Sequence, residues 1–166
     1  MQRETTRFFE LVTRVAETLL SQQAQDGPCR GSFCYSHLER DVHIPLYTAL
    51  TLRGLPAVMR YTGNTRLQEV ARDTLAFLDN TVDSDTGLWV HKITPTQIRR
   101  YPIFVAGAGV ICNGILDAAE LVGTAVDHGN LAARLLQYQY PNGAIRNFVG
   151  YDHPDNGRRQ GTGEVC

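Results

Sequence analysis

A block of roughly sixty residues recurs along this chain, and a fixed-period repeat restricts the fold more than any other feature of the sequence. Each copy reads as a helix ending in two large apolar residues, a polar tail, a glycine turn, a long connector and a more apolar helix. The first copy is Leu19-Leu20-Ser21-Gln22-Gln23-Ala24-Gln25-Asp26-Gly27, running on to Gly31-Ser32-Phe33. The second is Leu75-Ala76-Phe77-Leu78, followed by Asp85-Thr86-Gly87-Leu88-Trp89. The third is Leu135-Leu136-Gln137-Tyr138-Gln139-Tyr140-Pro141-Asn142-Gly143. Gly27, Gly87 and Gly143 stand 60 and 56 residues apart, and the turns Tyr61-Thr62-Gly63-Asn64 and Leu121-Val122-Gly123-Thr124 stand 60 apart.

Hydrophobic spacing assigns the elements. Phe8, Leu11, Val12, Val15 and Leu19 recur at helical intervals and predict an amphipathic helix over 5–24. A second helix is expected over 45–61, kinked or restarted at Gly54 and Pro56, because proline removes a backbone donor and clashes with the preceding turn. A third spans 65–80, with Leu67, Val70, Ala71, Leu75 and Leu78 inward. Residues 103–122 are apolar nearly all round, which predicts a helix buried on most sides, and 127–140 form a fifth. Strand signals are weak, since no run alternates with period two beside a hairpin turn. The expected fold is all-α: antiparallel helical hairpins in two layers, half-wetted helices outside and apolar ones inside, forming a single domain over 1–166.

In such an array every outer-to-inner connector lies at one end. Here these connectors are the long ones, 26–43, 83–102 and 141 onward, and they hold four of the five histidines and the only tryptophan. Function concentrates in loops on rigid scaffolds, so this rim is the expected functional face.

The repeat resembles the Gln/Trp repeat of squalene cyclase and prenyltransferase-like α/α toroids, which has Leu-Leu, then Gln, then Gly-x-Trp. Gly87-Leu88-Trp89 carries the Gly-x-Trp; Gly31-Ser32-Phe33 carries it with Phe for Trp; Leu135-Leu136 with Gln139 and Gly143 carries the Gln-Gly half. The resemblance implies a toroid of five to seven hairpins, of which this sequence supplies about two and a half. The expectation is a partial toroid whose third copy needs further repeats or a partner chain to cover it. It also implies an isoprenoid-like small-molecule substrate at the rim and central cavity, although the Asp-x-Asp-Asp acid of the cyclases is absent and Asp83-Ser84-Asp85 runs into Thr86-Gly87 instead. Carbohydrate-active α/α barrels share the alternation of layers and form the alternative, as does a non-catalytic helical-repeat module. A glycosidase needs two carboxylates about 5–10 Å apart, here Glu39 or Asp41 with Asp152 or Asp155.

Several residues can carry chemistry on that rim. Asp41 with His43 suits general acid–base work, and Asp152 with Asp155 flanks His153 in a Pro-Asp-Asn-Gly turn. Trp89, His91, Tyr101, Arg146 and Tyr151 are the candidate substrate-binding residues. Cys29, Cys34, His37 and His43 make C-x4-C-x2-H-x5-H, a spacing unlike common zinc modules, and no metal or other cofactor is expected. Asn113, Asp117 and Glu120 form a polar stripe that must face water, a cavity or a partner.

Composition narrows partners and compartment. At 166 residues and 43% hydrophobic the chain is long enough for one core. The net charge of -1 and the lack of a basic run argue against nucleic acid and anionic membrane. Four cysteines do not make a disulfide scaffold. The longest apolar run, 103–112, is about half of a bilayer crossing. A soluble, cytoplasmic protein is the expectation.

Overall fold

The computed structural model describes residues 2–151, which are mostly helical. The helices are α1 (Gln2–Gln22), α2 (Pro45–Leu52), α3 (Leu55–Thr62), α4 (Arg66–Asn80), α5 (Val105–Val122) and α6 (His128–Leu136). One helical stretch over 45–61 is replaced by two, because Pro56 in the first turn of α3 cannot continue α2. Gly63 and Gly123 end α3 and α5 with left-handed caps, φ 65° and 69°.

The chain is mostly helical, as expected, but not helical throughout. Four short strands are present: β1 (Lys92–Thr94), β2 (Gln97–Arg99), β3 (Ile103–Phe104) and β4 (Phe148–Val149). β1 pairs antiparallel with β2, and β3 with β4. Strands of two or three residues are too short for a period of two to register in sequence. They do stitch the connectors together. His43 pairs with Ile93, joining the first connector to the second, and Ile103 pairs with Val149, joining the second to the third. The spacings are again 60 and 56 residues, so both rungs are the same rung in successive copies.

α2 and α5 pack against each other at the centre, and α4 packs on both. Gly114 makes the α2–α5 approach possible: a Cβ there would lie 2.5 Å from the Ala49 carbonyl oxygen. Leu52, Leu55, Leu67, Leu78 and Leu88 are fully buried, each worth about 1.5–3 kcal/mol of transfer free energy. α5 is less enclosed than its composition predicts. It is buried at Val105, Ala108, Ile111, Cys112 and Ala118, but Ala106, Asn113 and Glu120 are exposed and Asp117 half-buried. By length and apolarity alone α5 could cross a membrane, with mean hydropathy 1.5, and 44% of it is buried in the fold. α1 also departs from expectation: Ala16 is buried, while Phe8, Leu11 and Val15 are exposed.

Backbone hydrogen bonds correct the register of the repeat. Ala24 N–H donates to Ser32 O, Asp83 N–H to Leu88 O, and Tyr140 N–H to Ala144 O. Gln23 faces Phe33, Val82 faces Trp89, and Gln139 faces Ile145. The equivalent glycines are therefore Gly31, Gly87 and Gly143, spaced 56 and 56, all at positive φ (87°, 67° and 86°). Gly27 instead belongs to an extra helical turn, Gly27–Cys29.

The seam between the first two copies is built on that register. Gln23 Nε2 lies 3.0 Å from Gly31 O, 2.9 Å from Val70 O and 3.0 Å from Thr74 Oγ1, sharing its two hydrogens among three acceptors. Thr74 Oγ1 donates to Gly31 O at 2.7 Å. A Cβ on Gly31 would run into the Asp73 carbonyl, whereas one on Gly27 would meet open space. Both glycines are left-handed, which costs an L side chain about 1–2 kcal/mol. Gly27→Ala should therefore lose about 1 kcal/mol of stability, and Gly31→Ala about 3 kcal/mol or more as overpacking is added. Urea unfolding of the two variants checks this; equal losses would show that Gly31 is not wedged against α4.

Candidate functional site

A concavity of about 380 Å³ opens where α2 and α5 begin, beneath the stitched connectors. Its size falls in the usual range for small-molecule sites. The run into α2 supplies Ile44, Leu46 and Tyr47; the run into α5 supplies Phe104, Gly107 and Ile111; the connectors supply Tyr35, Trp89, Val90, His91 and Phe148. No carboxylate lines it among the described residues.

Local pairing explains the geometry. The β3–β4 register sets Phe148 opposite Phe104, and their rings stack with centroids 5.1 Å apart. Tyr35 and Tyr47 meet edge to face at 4.9 Å, and the second hydroxyl pushes the Tyr35 pKa up. Gly107 stands 60 residues after Tyr47, at the same place in the next inner helix. A Cβ there would come within 2.6 Å of Phe104 Cδ1 and 3.2 Å of Leu46 Cδ2, so the missing side chain is what lets those two wall residues lie against α5. Aromatic rings present flat apolar faces with polar edges, a lining suited to ring-shaped or polyunsaturated apolar ligands.

Trp89 reaches the wall from a structural position. Its Nε1 donates to Leu78 O at 2.9 Å, its ring is buried, and Arg134 lies over it at 5.8 Å. His91 is half-buried in the wall, its backbone N–H donating to Arg100 O. Tyr101 is buried outside the wall, under Gly150 and with the Arg100 guanidinium 5.5 Å from its ring. Arg146 is exposed and does not line the concavity; its backbone N–H donates to Tyr138 O. Tyr151 is not part of the wall; its ring lies 6.2 Å from that of Phe148. Asp152 and Asp155 lie outside the described residues.

Asp41 is exposed and His43 buried. The Ser32 hydroxyl donates to Cys29 O, so Ser32 Oγ accepts at 2.8 Å from Nδ1–H of His43, which fixes the tautomer. Burial pulls the His43 pKa below its ordinary 6.5, against the smaller upward pulls of the Phe33 carbonyl and Asp41. The ring is thus a neutral strut beneath the rung to Ile93. Cys29, Cys34, His37 and His43 do not gather as ligands: among the described residues no three of His, Cys, Asp and Glu could hold a metal.

Asp83 and Asp85 form an ionic turn. Asp83 Oδ1 accepts from Thr86 N at 3.0 Å and Thr86 Oγ1 at 2.9 Å, and Arg100 reaches Asp83 Oδ2 and Asp85 Oδ2. Burial pushes the Asp83 pKa up, but hydrogen bonds from Arg100 and Thr86 outweigh it and hold the carboxyl below its ordinary 3.8. Arg100 is pushed up in turn. A carboxylate held ionised this way cannot act as a proton donor. A larger groove of about 870 Å³ lies beside this turn and Pro28, but its charged groups are already engaged with one another, as Arg30 is with Asp73 at 3.7 Å.

Tyr35, Tyr47, Phe104 and Gly107 were not singled out from the sequence. Tyr47 and Gly107 do carry a signal, since the 60-residue period places them at one site. Comparison with protein families, with curated proteins and with solved structures returned no match.

Two titrations separate by pH. The unfolded chain protonates His43 first, so that part of the stability is complete above pH 6.5 and is lost as pH falls through the lower folded value. The Asp83 contribution is complete above 3.8 and is lost as pH falls through its own depressed value. Denaturation midpoints measured from about pH 8 to pH 3 should show both declines. His43→Gln should flatten the upper one and Asp83→Asn the lower.

Proposed function

We propose that this chain is a segment of an α/α-toroid-like helical-repeat scaffold that binds an apolar, isoprenoid-like small molecule at the rim of its inner helices. The observation that carries the reading is the aromatic concavity at the starts of α2 and α5, walled by Tyr47, Trp89, Phe104 and Phe148. Three further features support it. The connectors share one end through two equivalent rungs. The inner helices α2 and α5 pack side by side, as neighbouring spokes of such an arc would. The wall offers rings and methyl groups and, among the described residues, no acid. The carbohydrate reading needs a carboxylate pair across a groove, and of its four candidates Glu39 and Asp41 are exposed and outside the concavity wall.

Trp89 is the only tryptophan and lines the concavity, so its emission reports occupancy. Farnesol and geranylgeraniol should change that emission and raise the melting temperature, and maltooligosaccharides should do neither. Phe104→Ala should weaken the alcohols by about tenfold, the effect of removing one contacting ring. Gly107→Val, which displaces the Phe104 ring and Leu46 from the wall, should weaken binding while helical content persists by circular dichroism. A response to the oligosaccharides alone would refute the reading.

A further inference from the structure

We infer that the concavity takes a ligand with one uncharged oxygen, a hydroxyl or a carbonyl, held by the phenols of Tyr35 and Tyr47 while its carbon skeleton lies on the buried part of the wall. The inference rests on the aromatic concavity being the ligand site, and it names the head group that this site selects. The wall grades from buried to exposed. Trp89, Val90 and Ile111 are 3%, 8% and 4% exposed and offer apolar surface. Tyr35 and Tyr47 are 41% and 43% exposed, their rings edge to face with centroids 4.9 Å apart. A tyrosine in such a place keeps its ring on apolar surface and its hydroxyl toward water. The pair therefore sets which end of an incoming ligand points outward.

Other polar groups here are committed to the fold. Trp89 Nε1 donates to Leu78 O, and His91 already has a partner. Tyr138 shows what a structural phenol does in this chain: its hydroxyl donates to Thr86 O at 2.7 Å. Tyr35 and Tyr47 differ, because among the described residues the only hydrogen bond their hydroxyls make is to each other. Tyr47, by charge repulsion first and the shared hydrogen bond second, pushes the Tyr35 pKa up, so Tyr35 stays a neutral donor at pH 7. A phenol gives one O–H and accepts through its oxygen, so a pair sharing one bond still has a second O–H to give and lone pairs to receive. A ligand hydroxyl matches both, and a carbonyl matches the first. A diphosphate matches poorly. Among the described residues the wall holds no Lys or Arg, and taking anionic charge out of water without a cation costs more than a neutral hydrogen bond returns.

Titrations of the 166-residue chain, read by Trp89 emission, test this with ligands that share one carbon chain: farnesol, the same triene hydrocarbon without its oxygen, and farnesyl diphosphate. The wild type should bind farnesol more tightly than the diphosphate. The double variant Tyr35→Phe/Tyr47→Phe removes both oxygens and keeps both rings. It should weaken farnesol about fivefold, the worth of one neutral hydrogen bond, and leave the hydrocarbon's affinity unchanged. Circular dichroism should match the wild type, and the single variants, each weakening farnesol in part, repeat the test if the double one disturbs the fold. A double variant that loses nothing toward farnesol, or loses farnesol and the hydrocarbon alike, overturns the head-group assignment and leaves the apolar site standing. A diphosphate that binds more tightly than the alcohol does the same. If none of the three ligands moves the emission, the apolar site falls and this inference falls with it.

Discussion

The structure depends on the seam where the first connector wedges into α4. Gly31 brings backbone against the Asp73 carbonyl, and Gln23 distributes its amide over Gly31, Val70 and Thr74. Buried amides left without partners cost about 1–3 kcal/mol each, so this contact tolerates little sliding. It is also directional in a way that hydrophobic contact is not. Apolar faces of α1, α2 and α4 would accept many rotations; three acceptors around one Nε2 accept few.

That constraint propagates to the concavity. Once the connector is seated, His43 reaches Ile93 and lies over Ser32, and one copy later Ile103 reaches Val149. These rungs set where α2 and α5 start; Tyr47 and Gly107 stand in the first turns of those helices and Phe104 just before α5. Several polar groups near the rim are occupied in holding the frame. His43 is a neutral strut, Asp83 and Asp85 are tied to Arg100, and the Trp89 nitrogen is committed to Leu78. What remains at the surface of the concavity is mostly ring and methyl.

Much of the helical framework was legible in the sequence. Apolar spacing gave α1, α4, α5 and α6 to within a few residues, and Pro56 announced the break between α2 and α3. The period itself was legible, but its register was not. Asp26-Gly27-Pro28 looks like a helix stop, and only the hydrogen bonds of Ala24, Asp83 and Tyr140 identify Gly31 as the counterpart of Gly87 and Gly143. The short strands escaped because two or three residues carry no usable period. The exposed sides of α1 and α5 escaped because composition says that a face is apolar, not whether a neighbour is present to cover it. At the site, Trp89 and His91 stood out as rare residue types in a connector, whereas Tyr47 and Gly107 are unremarkable until α2 and α5 lie side by side.

The sequence by itself determined the helices and the sixty-residue rhythm, because propensity and hydrophobic spacing act over a few neighbouring residues. Tertiary structure decided which glycine joins copy to copy, which rings face one another across the concavity, and which apolar edges stay bare. Those outcomes rest on contacts between residues some fifty positions apart, such as Gln23 with Val70 and Thr74, and no local pattern encodes that meeting.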